Sequence, residues 1–152
     1  MQIVSSDEGK RSPPGPAAQV PFSQLNVPHD VRVLIVEDEW LVSLDLEAAF
    51  QQAGYQVVGI ATSCDEAIEI AARVRPHVAT MDIRLRGARD GVDAANELYR
   101  RFGIRCLFAS AYSEAATMQR VAARPLGWLQ KPFMAAQVVS TLTAALRRLQ
   151  GH

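Results

Sequence analysis

The chain has 152 residues, of which 49% are hydrophobic and 21% charged, a composition typical of a single globular domain. Sixteen basic residues balance sixteen acidic ones, so no overall positive charge would attract nucleic acid or an anionic membrane. No apolar stretch approaches the length of about 18 residues that a transmembrane helix needs, and the N-terminus lacks the apolar core of a signal peptide. We therefore expect a cytoplasmic protein without membrane insertion or nucleic-acid binding.

Residues 1–29 differ in composition from the rest of the chain. They hold five of the eight prolines, together with serine, glycine and glutamine. Such a segment buries too little apolar surface to offset the entropy that it would lose on ordering. We predict a disordered or loosely ordered N-terminal extension over residues 1–29, with a short ordered arm as the alternative, and one folded domain over residues 30–152.

From Asp30 onward, five short apolar runs alternate with stretches of helical periodicity. The runs are mostly continuous rather than alternating in polarity, as is typical of strands that are covered on both faces. They are VRVLIV (31–36), QVVGIA (56–61), HVATMD (77–82), IRCLFA (104–109) and GWLQ (127–130).

A helix is predicted after each of these strands. The first ends at Gly54, and the second begins with the capping-box pattern Ser63-x-x-Glu66. The third has Asp90 as its N-cap, and the fourth begins near Ser113 by the same reasoning. Five β–α units predict an α/β domain, an open parallel sheet with right-handed crossovers and helices on both faces.

Polar residues stand where four of the strands end. The acidic run Glu37–Glu39 follows the first strand, and Asp82 ends the third. Ser110 follows the fourth strand, and Lys131 follows the fifth. Because ligands of open parallel sheets bind outside the carboxyl ends of the strands, we expect these side chains to share one site.

These residue types suit a carboxylate that accepts a phosphoryl group. Asp82 is ionised at neutral pH and needs no general base to act as a nucleophile. Its attack on an anionic phosphoryl group needs a cation such as Mg²⁺, which Asp38, helped by Glu37, could hold. Lys131 could pair with one phosphoryl oxygen as a point charge, and the Ser110 hydroxyl could hydrogen-bond another.

Each feature alone also has an ordinary explanation. Glu37–Glu39 could be the solvated start of a helix, Asp82 a capping residue, and Trp128 a core residue. Lys131 could be a leftover surface lysine, although the chain has only one other lysine, Lys10, against fourteen arginines. The order and spacing of the whole set favour the functional interpretation.

From about Val31 to Leu149, the chain resembles the receiver domain of two-component response regulators. The resemblance rests on VEDE after the first strand, MDI at the end of the third, ASAY after the fourth and KPF after the fifth. It implies a flavodoxin-like, doubly wound five-stranded parallel sheet of order 2-1-3-4-5 with five helices.

The resemblance also implies roles for individual residues. Asp82 would be the phosphoacceptor, and Glu37 with Asp38 the acidic pair that binds Mg²⁺. Asp82 and the backbone carbonyl of Arg84 would complete the protein ligands of the metal. Lys131 would be the family's lysine, followed by a cis peptide bond to proline.

Further positions follow from the same resemblance. Ser110 would be the switch hydroxyl, and Trp128 stands where family members usually carry the Tyr or Phe of the switch. Arg84 and Tyr112 flank the site at positions that tune dephosphorylation in the family.

The resemblance predicts a stand-alone receiver rather than an enzyme, because the chain ends three residues after its last helix. A sensor histidine kinase or a histidine phosphotransfer protein would phosphorylate it. The face formed by helix four, strand five and helix five, about residues 113–149, would then bind an unknown downstream protein, pass the group along a relay or form a homodimer.

Three other functions fit part of this pattern. A degenerate receiver would bind partners without phosphorylation. A haloacid-dehalogenase-like phosphatase also uses a nucleophilic Asp, but it needs a second Asp two residues later, where this chain has Arg84. A flavodoxin-like FMN carrier fits the sheet, but the carboxylates after the first strand would repel the phosphate of FMN.

Overall fold

A parallel five-stranded sheet forms the centre of the protein. The computed structural model describes residues 20–151. The strands lie in the order β2-β1-β3-β4-β5, so the predicted sheet and its order are confirmed. They are β1 (Arg32–Val36), β2 (Gln56–Ala61), β3 (Val78–Met81), β4 (Arg105–Ser110) and β5 (Gly127–Gln130).

Four long helices and one short helix connect or follow the strands. They are α1 (Trp40–Ala53), α2 (Cys64–Val74), α3 (Gly91–Phe102), α4 (Glu114–Thr117) and α5 (Ala135–Gln150). None of the helices within residues 20–151 is long and apolar enough to cross a membrane.

The predicted fourth helix is present, but it is much shorter than the other four. This helix, α4, has only four residues and continues as a 3-10 turn at Met118–Arg120. Beyond this turn, the side-chain oxygen of Asn96, on α3, accepts hydrogen bonds from the amides of Ala122 and Ala123, at 2.8 and 3.0 Å. These two amides therefore donate to a side chain rather than to a helical backbone carbonyl.

The residues that were predicted to begin or end helices do so in the structure. Ser63 accepts a hydrogen bond from the Glu66 amide at the start of α2. Asp90 and Asp93 form a capping box at the start of α3. The left-handed backbone of Gly54, with φ of 106°, ends α1.

Both faces of the sheet are covered, which explains the continuous apolar runs of the strands. Leu34 and Val36 face the core beneath α2 and α3, where Phe108 and Leu98 are also buried. Alternate residues of β1 face the second core beneath α1 and α5. That second core contains buried Val33, Ile35, Phe50 and Leu142.

Most of the predicted N-terminal extension, residues 1–19, lies outside the described residues. Residues 20–29 lie against the C-terminal end of α5. The side-chain amide of Gln150 donates to the carbonyl oxygens of Phe22 and Leu25, at 3.0 and 2.7 Å. Val27 is buried in the second core. The domain boundary after residue 29 stays a prediction.

Candidate functional site

The carboxyl ends of the strands bring the predicted site residues to one edge of the sheet. The amide of Asp82 donates to the carbonyl of Val36, at 2.9 Å, so the chain after β3 stays beside the chain after β1. The amide of Lys131 donates to the carbonyl of Ser110, at 2.7 Å, which does the same for β4 and β5. A cavity of about 370 Å³ opens there, lined by Asp38, Glu39, Asp82, Arg84, Ser110, Ala111, Tyr112 and Lys131.

Asp82 is buried at the base of this cavity, and its surroundings fix its backbone. Its Oδ1 accepts a hydrogen bond from the Ile83 amide at 2.8 Å. The first residue of α3, Gly91, approaches so closely that a Cβ added there would lie 1.8 Å from the carbonyl oxygen of Asp82. Only glycine fits at this approach, so α3 packs directly against the backbone of Asp82.

Lys131 faces three carboxylates with its single ammonium group. Its Nζ lies 2.7 Å from Glu39, 3.3 Å from Glu37 and 3.4 Å from Asp82. Burial alone would lower the pKa of Lys131, but the hydrogen bond to Glu39 and the charges of Asp82 and Glu37 raise it above its ordinary value. Lys131 is therefore a fixed positive charge, and its bond to Pro132 is cis, as predicted.

The carboxylates carry more negative charge than Lys131 balances. Burial, the hydrogen bond with Asp82 and the charge of Asp82 raise the pKa of Glu37 to about 8. Oxygen atoms of Glu37, Glu39 and Asp82 all lie within 4.8 Å of one another. Carboxylate oxygens are the ligands that Mg²⁺ prefers, and a cation would offset the surplus charge. The residues present therefore fit a magnesium ion.

The structure places the acidic residues differently from the sequence-based pairing of Glu37 with Asp38. Among residues 20–151, the close carboxylate triplet contains Glu39 rather than Asp38. Asp38 is half-buried and lines the same cavity. Glu39 was predicted at the site only as part of the acidic run Glu37–Glu39, with no role of its own. Its position just before α1, where Glu is a poor N-cap, is a signal for such a role.

Ser110 is fully buried at the end of β4. Its hydroxyl oxygen accepts long hydrogen bonds of 3.4 Å from the amides of Ile83 and Tyr112. The hydroxyl thus bridges the chain that follows Asp82 and the chain that follows β4. A shift of the backbone in either of these two segments would therefore alter the hydrogen bonds of Ser110.

Arg84 and Tyr112 line the cavity, and Trp128 contacts Tyr112 from outside it. A guanidinium nitrogen of Arg84 donates to the Tyr112 hydroxyl at 3.4 Å, across the mouth of the cavity. The indole nitrogen of Trp128 donates to the carbonyl oxygen of Tyr112 at 3.2 Å. The Trp128 ring stacks on Phe108, with 4.7 Å between ring centroids. Trp128 is therefore tied to both the loop after β4 and the core.

Comparison with known proteins gives one consistent family. A family model described as the response regulator receiver domain matches residues 33–143. The phyllosphere-induced regulator PhyR of Methylorubrum extorquens is 36% identical over 128 residues, which are 79% of this chain and 47% of PhyR. The chemotaxis protein CheY of Thermotoga maritima is 32% identical over 113 residues, which are 73% of this chain and 93% of CheY.

A solved structure agrees with these sequence matches. The crystal structure of the anti-anti-sigma factor PhyR from Bartonella quintana has a TM-score of 0.68 and 28% identity, covering 86% of this chain and 51% of that chain. The chain spans about half the length of the PhyR relatives and 58% of the transcriptional regulatory protein PdtaR of Mycobacterium tuberculosis.

Proposed function

Because this chain belongs to the response regulator receiver domain family, we propose that it is a signalling switch in which Asp82 accepts a phosphoryl group. The phosphoryl donor is a sensor histidine kinase or a histidine phosphotransfer protein in the cytoplasm. The observation that carries the proposal is the meeting of Asp82, Lys131, Ser110 and the acidic residues in one cavity. Receiver domains are generally signalling modules without enzymatic activity, which argues against the phosphatase alternative.

The transfer is a single displacement at phosphorus. A lone pair of an Asp82 carboxylate oxygen forms the new oxygen–phosphorus bond. The bond between phosphorus and the imidazole nitrogen of the donor breaks, and the imidazole leaves with that electron pair. Lys131 pairs with an oxygen of the transferred group, and the Ser110 hydroxyl donates a hydrogen bond to another.

Magnesium is the cofactor of this proposal. Glu37, Asp38 and Asp82, with the backbone carbonyl of Arg84, would hold the ion. When bound, magnesium supplies positive charge that offsets the repulsion between the carboxylate and the phosphoryl oxygens. The hydrogen bond from the Ile83 amide to Asp82 Oδ1, at 2.8 Å, and the Lys131 ammonium 3.4 Å from Asp82 Oδ2 orient the carboxylate for attack.

The output of the switch is a changed protein surface. Once Ser110 bonds a phosphoryl oxygen, its long contacts with the amides of Ile83 and Tyr112 change. Because Trp128 donates to the Tyr112 carbonyl, the change reaches β5 and the surface of α4, β5 and α5. This surface binds the downstream partner. Since the related Bartonella quintana PhyR is named an anti-anti-sigma factor, a protein of sigma-factor regulation is the first partner to test.

The test is the intact mass of the protein after incubation with acetyl phosphate and Mg²⁺. Wild type is expected to gain the mass of one phosphoryl group. Asp82→Asn, or wild type with the metal chelated, is expected to gain none. Asp45→Asn, an exposed position on α1, is the matched control and is expected to behave as wild type.

Two results would contradict the proposal. Equal uptake by Asp82→Asn would place the acceptor elsewhere. No uptake by folded wild type, together with no response to beryllofluoride, would favour the degenerate receiver that binds partners without phosphorylation.

A further inference from the structure

The closest partner of Lys131 is Glu39 rather than the proposed phosphoacceptor. The Lys131 ammonium lies 2.7 Å from Glu39 and 3.4 Å from Asp82. The Glu39 side chain is 61% exposed, whereas those of Glu37 and Asp82 are 2% and 5% exposed. Of the three carboxylates, only that of Glu39 can turn into solvent without a buried side chain becoming exposed.

Capping of α1 does not explain the position of the Glu39 side chain. Glu39 is the N-cap residue of this helix, yet its side chain makes no capping hydrogen bond. Its backbone amide donates instead to a carboxylate oxygen of Glu37, at 3.1 Å. The Glu39 carboxylate therefore faces Lys131 and leaves the first turn of α1 uncapped by its side chain.

Glu39 and Lys131 also stand between two cavities. Both residues line the 370 Å³ cavity of Asp82. Both also line a neighbouring groove of about 390 Å³ between α1 and the segment after β5, where Val42 and Phe133 form part of the wall. The ion pair is thus a partition between the Asp82 cavity and the groove.

We propose that Glu39 is a positioning residue that holds Lys131 in the resting protein and gives it up when a phosphoryl group arrives. This inference rests on the proposed function. A phosphoryl oxygen takes the place of Glu39 at the Lys131 ammonium, and Glu39 turns outward into water. The exchange replaces one anionic partner of the ammonium by another, so Lys131 is never left without one.

The proposal predicts that weakening the pair accelerates phosphoryl acceptance. Two variants separate the contact from the charge. Glu39→Gln removes the negative charge, whereas Glu39→Asp keeps the charge but is one methylene too short for the 2.7 Å contact. Asp is a favoured N-cap residue, so Glu39→Asp is compatible with the start of α1.

The first measurement is the rate of phosphoryl uptake from acetyl phosphate at saturating Mg²⁺. Both Glu39 variants are expected to react roughly two- to fivefold faster than wild type, the range of an ion pair with one exposed partner. Glu47→Gln is the control for a lost carboxylate on the same helix, since Glu47 lines neither cavity, and it is expected to keep the wild-type rate.

The second measurement observes Lys131 directly. The chain has only two lysines, Lys10 and Lys131, so protein labelled with ¹⁵N at lysine gives two side-chain ammonium signals. In the resting protein, both Glu39 variants are expected to move the Lys131 signal and leave the Lys10 signal unchanged. Helix stability alone would not move it.

Faster uptake by both variants, with a moved Lys131 signal, supports the proposal. Three results overturn the proposal: uptake by both variants at the wild-type rate, faster uptake by Glu39→Gln alone, or an unmoved Lys131 signal. Slower uptake with a higher Mg²⁺ requirement would make Glu39 a metal ligand and also overturns it. No uptake by wild type overturns the proposed function as well, so the two failures are distinguishable.

Discussion

The Arg120 guanidinium donates to both carboxylate oxygens of Asp90, at 2.8 and 3.1 Å. Asp90 caps α3, and the next residue, Gly91, packs on the backbone of Asp82. Arg120 lies in the 3-10 turn that follows α4. This ion pair therefore joins the helix that packs on Asp82 to the segment that follows α4.

We predict that Arg120→Gln destabilises the protein in a pH-dependent way. Burial raises the pKa of Asp90, but the hydrogen bonds from Arg120 and the Asp93 amide lower it by more than burial raises it. The pKa of Asp90 therefore lies below its ordinary value. A carboxylate whose pKa is lower in the folded state stabilises the protein at pH values above its unfolded pKa of about 3.9. This stabilisation is lost as the pH falls through the folded-state pKa. Urea denaturation should show a loss of about 0.5–1 kcal/mol at pH 7 that shrinks below about pH 4.

Arg124→Gln is the matched control for this prediction, since Arg124 is an exposed arginine of the same segment. It is expected to change the free energy of unfolding little at any pH. A loss in Arg120→Gln that stays constant down to low pH would show that the pair with Asp90 is not its cause.

Gly91→Ala is predicted to destabilise the protein by about 3 kcal/mol or more, because overpacking against backbone cannot relax by a side-chain rotation. The added Cβ would lie 1.8 Å from the carbonyl oxygen of Asp82 and 2.7 Å from its carbonyl carbon. Gly127→Ala is the control, since its Cβ would lie 3.1 Å from a terminal methyl of Leu107, which can move. Similar free energies of unfolding for both variants would contradict this account.

The strands were predictable because the sheet is covered on both faces. For β2 and β5, the apolar runs coincide with the observed strands, since Gly54 stands two residues before the first run and Pro125 and Pro132 stand two residues from the ends of the second. The fourth helix was predicted near Ser113, but its short length was not, because the segment after it is held by hydrogen bonds from Ala122 and Ala123 to Asn96, which lies far away along the chain. Sequence periodicity does not report such tertiary contacts.

The sequence predicts that the strand-end residues of the site lie near one another, but not that Glu39 is the carboxylate nearest Lys131. The strand ends identify Asp82, Ser110 and Lys131, since parallel strands bring their carboxyl ends to one edge. Which residue of the run Glu37–Glu39 faces Lys131 depends on how the chain turns from β1 into α1. That turn is a property of the folded backbone, and three adjacent carboxylates give no local signal that separates them.

Magnesium is predicted to stabilise the folded protein. Glu37 and Asp82 are buried close together, so a bound divalent cation offsets their repulsion. A ligand that binds only the folded state adds about 2.7 kcal/mol to the free energy of unfolding when its concentration is one hundred times its dissociation constant. Thermal denaturation with MgCl₂, against NaCl of equal ionic strength, should show a higher midpoint in MgCl₂. The gain should be much smaller in Glu37→Gln, and an equal gain in that variant would exclude Glu37 from the ligands.

Trp128 is predicted to report phosphorylation through its fluorescence. The chain has two tryptophans, and Trp40 is 63% exposed on α1, so Trp40→Phe leaves Trp128 as the single tryptophan, whose emission selective excitation separates from that of the tyrosines. The Trp128 ring stacks on Phe108 and donates to the Tyr112 carbonyl, so a moved Tyr112 loop changes the ring's surroundings. Beryllofluoride with Mg²⁺ should shift the emission of Trp40→Phe. The same additions should leave Trp40→Phe combined with Asp82→Asn unchanged, and an unchanged emission in the first variant would show that Trp128 takes no part in the switch.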